Sequence, residues 1–157
     1  MSLYPALHLM SPADGERCAA GPSINRILED GTHTAQRLGI VEVQLAPGWP
    51  GPPPHVHRAH EETFYVVSGA VRFTSADSAH ELGAGGLVTV PIDAPHGFGN
   101  ASELEPAVVL LTISPQRYVE YFRELHHLRP TAAGTLDPAE VGALMARYET
   151  DVFPGSS

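Results

Sequence analysis

Residues 52–69 read PPPHVHRAHEETFYVVSG, and the histidines and glutamates in this stretch carry chemistry. His55 and His57 are separated by one residue. On a strand, both imidazoles project from the same face, ~6.6 Å apart along the chain, and can converge on one ion. With nine His in 157 positions, such a pair also arises by chance, so alone it is a weak signal. Glu62 follows five positions after His57, far enough for a short turn to return its carboxylate to the same ion. Downstream, Gly85, Pro91, His96 and Asn100 have a regular spacing of their own, and His96 opens another strand-like run. Three imidazoles and one carboxylate, with no thiolate, make a borderline-hard donor set. It suits Fe, Mn, Co, Ni, Cu or Zn and leaves positions open in a five- or six-coordinate ion. Open positions are what make such a site chemically useful.

Outward from this stretch the chain is a series of short runs cut by turns. Gly39–Ala46, Thr63–Val67, Ala70–Ser75, Leu87–Val90, His96–Asn100 and Ala107–Ile113 are rich in Val, Thr and aromatics and predict strands. Their close spacing predicts a sandwich or barrel. Ser68–Gly69 reads as a hairpin turn and Ala84–Gly86 as another sharp turn. Residues 1–37 read as a turn-rich lead-in packing on a barrel core at 38–115, and 116–157 as a helical extension, all in one domain. In that extension Ser114–Pro115 predicts a helix start, followed by Tyr118, Val119, Phe122 and Leu125 at helical spacing. Asp137–Pro138 with Glu140 predicts a second, carrying Val141, Leu144, Met145 and Tyr148. Both stripes read as core or dimer-packing surfaces.

Composition narrows the function classes. Gly and Pro contribute 15 residues each without a collagen-like period, and apolar residues make up 43 %, enough for a core. Nine Arg against 18 acidic residues leave a formal charge of −9, and there is no Lys. Nucleic-acid and anionic-membrane partners, which need a basic patch, are therefore not expected. Schiff-base chemistry and a P-loop are excluded. Cys18 stands alone, so no intrachain disulfide forms and a reduced, cytoplasmic setting is expected. No signal peptide or membrane span is visible in the sequence.

The residues quoted above resemble the two motifs of the cupin superfamily. His55, His57, Glu62 and Gly69 match the first, led by Gly48 or Gly51; Gly85, Pro91, His96 and Asn100 match the second. Asp93 stands where the second motif has Gly, and Asp tolerates the left-handed turn that position requires. The Pro-rich approach and the two later helices resemble single-domain, quercetin-dioxygenase-like members. The resemblance implies a mainly β fold, a double-stranded β-helix (jelly-roll) barrel with two C-terminal α-helices. It also implies His55, His57, Glu62 and His96 as ligands of one divalent transition metal per chain. His60 and Glu61 read as turn or rim residues, and Asn100 as holding a turn. Strand parity with Glu62 and His96 turns Phe64 and Phe98 inward, and Phe73, Val43 and Leu111 are further candidates for an apolar pocket. By the same resemblance the protein is a homodimeric, metal-dependent dioxygenase acting on a small aromatic or enolisable substrate, with Glu62 as ligand and base. A non-redox isomerase, cyclase or lyase and a non-catalytic small-molecule-binding module are the alternatives.

Overall fold

In the computed structural model, residues 4–154 are described. Six strands form one antiparallel sheet in the order β1 (Glu16–Ala20), β2 (Ser23–Asp30), β3 (Gly39–Leu45), β10 (Ala107–Ser114), β5 (Glu61–Ser68) and β8 (Leu87–Val90). A smaller sheet runs β7 (Ala79–Gly83), β6 (Ala70–Thr74), β9 (Gly97–Asn100). The short β4 (His55–His57) pairs with β11 (Thr150–Val152) outside both sheets. A 3-10 turn (Gln116–Tyr118), α1 (Val119–Leu125) and α2 (Pro138–Ala146) separate β10 from β11. The fold is therefore mainly β, a jelly roll with two helices after it. None of the described helices is long and apolar enough to cross a membrane.

The core follows from alternation. β3 and β10 bury every second residue, placing Val41, Val43, Leu45, Val109, Leu111 and Ile113 on one face with Phe64 and Val66 of β5. Val71 and Phe73 of β6, in the smaller sheet, belong to the same apolar cluster. Burying these faces is the main stabilising contribution, on the order of 25 cal/mol per Å² of apolar surface.

Three features differ from the sequence expectation. Ser68–Gly69 is not a hairpin: β5 and β6 lie in different sheets, and Val66 bonds instead to Gly85 and Gly86. Phe64, Val66, Val71 and Phe73 all need burial, which the chain achieves by crossing between sheets at Gly69. Gly69 has φ +76°, and a Cβ there would stand 2.6 Å from the Pro106 carbonyl oxygen. Secondly, the lead-in contains β1 and β2, which extend the large sheet. Their alternation was hidden because inward positions of β2 are polar. Ser23 is buried with its Oγ accepting the Ala46 N–H at 3.1 Å, and Asn25 is buried beside it. Thirdly, Ser114 ends β10 rather than capping a helix, whereas Asp137 caps α2 by accepting the Ala139 N–H at 2.9 Å.

Candidate metal centre

β4 is positioned from three sides. The prolines at 52–54 stiffen its approach, His55 exchanges two backbone hydrogen bonds with His96 at 2.9 and 3.0 Å, and β11 pairs along its other edge. The Asp93 N–H donates to the His57 carbonyl at 2.9 Å, and Asp93 adopts φ +68°, the left-handed turn expected where the motif has Gly. Arg58 spans Asp93 and Asp151 at 2.8 and 2.9 Å, tying the turn before His96 to β11. Asn100 holds a loop, donating to the carbonyls of Leu45, Ala46 and Glu105 and accepting the Ser102 N–H.

His55, His57 and His96 are buried, with nitrogens within 4.8 Å of one another. Each Nδ1 has an oxygen partner. The Pro53 carbonyl lies 2.7 Å from His55 Nδ1 and the Ala94 carbonyl 3.1 Å from His96 Nδ1. A carbonyl only accepts, so both Nδ1 atoms carry the proton and both Nε2 atoms present a lone pair. Thr150 Oγ1 lies 2.8 Å from His57 Nδ1 and donates its own hydrogen to the Tyr148 carbonyl. His57 therefore holds the same tautomer.

Glu62 is buried with Oε2 3.2 Å from His57 Nε2 and 3.5 Å from His96 Nε2. These are close approaches rather than hydrogen bonds, for both Nε2 atoms are buried with no hydrogen-bond partner. Imidazole lone pairs facing a carboxylate, with no hydrogen between them, repel unless a cation intervenes. The donor set fits a metal ion on that ground. Burial, reinforced by His96 and His57, pushes His55 down to about 3; burial likewise lowers His57. Burial alone would raise the Glu62 carboxyl, but it is held well below the carboxylate range, and the hydrogen bond from His60 Nε2 to Oε1 is among the causes. At neutral pH His55 and His57 are thus uncharged imidazoles beside an ionised Glu62, the forms that bind metals.

His60 is not the rim residue expected from sequence. It is buried, its ring packs on His57 and Tyr118, and its Nε2 is 3.3 Å from Glu62 Oε1. With His57 and Glu62 it forms a second group able to hold an ion. The signal was available: His60, Glu62, Phe64 and Val66 share one parity. Glu61, on the opposite parity, is exposed.

A cavity of about 590 Å³ opens onto His55 and Glu62. Barrel residues Trp49, Phe98 and Leu111 form part of its wall; Tyr118, Tyr121, Phe122, Leu125, Leu136, Val141 and Met145 form much of the rest. The helical stripes expected as core or dimer surface are therefore also cavity wall. Of the apolar candidates, Phe98 and Leu111 line this cavity, whereas Phe64, Phe73 and Val43 do not. Phe64 fills the space between the sheets, its ring 5.6 Å from Phe73 and 4.9 Å from Phe98, and Val43 is buried in the same cluster.

Residues 41–113 match the cupin domain family. The barrel is a cupin barrel. KdgF from Halomonas sp. is similar in structure, with 21% identity and a TM-score of 0.61 over 73% of this chain and 99% of that one. The polyketide cyclase RemF from Streptomyces resistomycificus is 24% identical, with a TM-score of 0.60 over 71% and 81%. An RmlC-like cupin from Shewanella frigidimarina NCIMB 400 is 21% identical, with a TM-score of 0.58 over 73% and 96%. At such identities the likeness speaks for the fold alone. None of the curated proteins is significantly similar in sequence.

Proposed function

We propose that this cupin is a metal-dependent, quercetin 2,3-dioxygenase-like oxidoreductase, cytoplasmic and homodimeric, acting on a small oxygenated aromatic or enolisable substrate. His55, His57, Glu62 and His96 hold one divalent ion of Fe, Ni, Mn, Co, Cu or Zn. The observation that carries this reading is the junction of a buried His/carboxylate cluster with a cavity walled by aromatic and aliphatic side chains. A bound ion supplies Lewis acidity and, for the redox-active metals, one-electron chemistry. Phe98, Trp49 and Tyr121 offer ring surfaces to a planar apolar ligand and exclude water around it. Glu62, ionised and facing the cavity, takes the proton of an enol or phenol hydroxyl, with His60 beside its other oxygen keeping the carboxylate oriented. Exposed Tyr65 and Leu87, cross-strand partners on the large sheet, support a dimer surface, and the lone buried Cys18 accords with a reducing compartment.

The test is oxygen uptake by protein loaded in turn with Fe, Mn, Co, Ni or Cu, offered flavonols and related enolisable aromatics. Metal-dependent uptake supports the dioxygenase; uptake with none of these pairs overturns it. The same cavity suits a non-redox cyclase, isomerase or lyase, a second reading that needs no redox-active ion. Metal-dependent conversion without oxygen would establish it. Ligand binding without turnover would instead mark a binding module.

A further inference from the structure

The cupin family match ends at residue 113, yet one wall of the metal cluster comes from residue 150. Thr150 is fully buried and sits directly opposite His57 in the β4–β11 pairing. Its Oγ1 is 2.8 Å from His57 Nδ1 and donates to the Tyr148 carbonyl, which leaves a lone pair as the acceptor for the imidazole N–H. His55 and His96 are oriented differently, each by a backbone carbonyl two residues before it in the barrel itself. His57 is thus the one histidine of the three whose described orienting partner is remote, 93 positions along the chain.

We propose that Thr150 is a positioning residue of the metal centre: its hydroxyl fixes the tautomer and ring angle of His57, so full metal affinity requires β11 docked on β4. This rests on the reading of His55, His57, Glu62 and His96 as the ligand set. β11 is held there by more than Thr150. Arg58 bonds Asp151 and donates its backbone N–H to the Glu149 carbonyl, and Phe153 donates its N–H to the Pro54 carbonyl. α2, immediately before β11, packs on it and also lines the cavity through Val141 and Met145. The C-terminal segment therefore completes the cavity and the outer shell of the metal cluster together.

Thr150→Val keeps the side-chain shape and removes the hydroxyl; Thr150→Ser keeps the hydroxyl. Co²⁺ affinity, measured by competition with a chromophoric chelator, and the visible Co²⁺ absorption spectrum are the readouts. Thr150→Val is expected to bind Co²⁺ about 10–100-fold more weakly, the usual consequence of removing an outer-shell partner, with an altered spectrum. Thr150→Ser is expected to restore both towards wild type. Should the Val variant fold poorly, Thr150→Ala against Thr150→Ser gives the same contrast. Affinity and spectrum unchanged in Thr150→Val, or lost equally in Val and Ser, overturn the proposal. Wild-type protein that takes up no Co²⁺ overturns the ligand set itself, a result distinct from either.

Discussion

The barrel and the C-terminal segment contribute to one site by opposite means. Within the barrel, His55, His57, Glu62 and His96 come from β4, β5 and the turn before β9, at spacings fixed by strand geometry. The segment from Gln116 to Val152 contributes no residue to the two histidine-containing groups, but supplies much of the cavity wall and the partner of His57. Convergence on an ion demands particular residue types at particular spacings. Walling a cavity demands only apolar surface, which many sequences supply. The difference separates what motif spacing can reveal from what only the packed chain reveals.

The largest effect tests the barrel side. Glu62→Gln keeps a weakly coordinating amide oxygen but removes the proton acceptor. Turnover per bound metal is expected to fall about 10²–10⁴-fold; equal turnover per metal would reduce Glu62 to a ligand alone. Next comes a contrast in stability. Phe64→Ala removes a ring packed on all sides and is expected to cost about 3–5 kcal/mol in denaturant unfolding. Phe122→Ala, whose ring borders an existing cavity, is expected to cost less. Equal losses would mean that the helix face is as tightly packed as the barrel core.

Much of the barrel was legible for the same reason. The HxH pair, Glu62 and His96 are tied to turns and strands whose glycines, prolines and alternation show in the sequence, and even the Asp93 substitution kept its left-handed turn. What was hidden lacked such signals. β2 carries Ser23 and Asn25 on its inward face, so apolar alternation was broken where a strand exists. Ser68–Gly69 has hairpin residues but a sheet-crossing role, set by the need to bury Phe64 and Phe73 on facing layers. The stripe Tyr118–Phe122–Leu125 has one periodicity whether it meets core or cavity. β11 is three residues long and takes its meaning from pairing with β4, which no local pattern encodes.

Acidification sharpens the comparison further. His55 is held at about 3 by burial, far below an ordinary imidazole near ~6.5. The unfolded chain therefore takes up this proton first, and the metal-free fold loses stability as pH falls from ~6.5 towards about 3. Protons should likewise compete poorly for the folded site. Metal content after dialysis across a pH series is expected to fall with a midpoint below ~6.5; release centred at or above that value would contradict a buried, neutral cluster.

The smallest effect concerns how the segment is tied to the barrel. Arg123 of α1 bridges Glu16 at 2.8 Å and Asp30 at 2.9 Å. Hydrogen bonds from Thr32 and Arg123 hold Asp30 well below the usual carboxylate range. Its contribution is present above that range and lost as pH falls through the folded value. Arg123→Met is expected to lower stability at pH 7 by about 1 kcal/mol, the upper end for partly exposed pairs, with the difference shrinking in acid. A difference that persists unchanged below pH 2 would assign the effect to packing of the side chain.

The central claim is that one ion sits among His55, His57, Glu62 and His96 rather than in the adjacent group of His57, His60 and Glu62. Metal stoichiometry after loading with Co²⁺ and dialysis separates them through His96→Ala and His60→Ala. The account predicts one ion per chain in wild type, retention in His60→Ala, and loss of most of the metal in His96→Ala. Full metal content in His96→Ala, or its loss in His60→Ala alone, would contradict it.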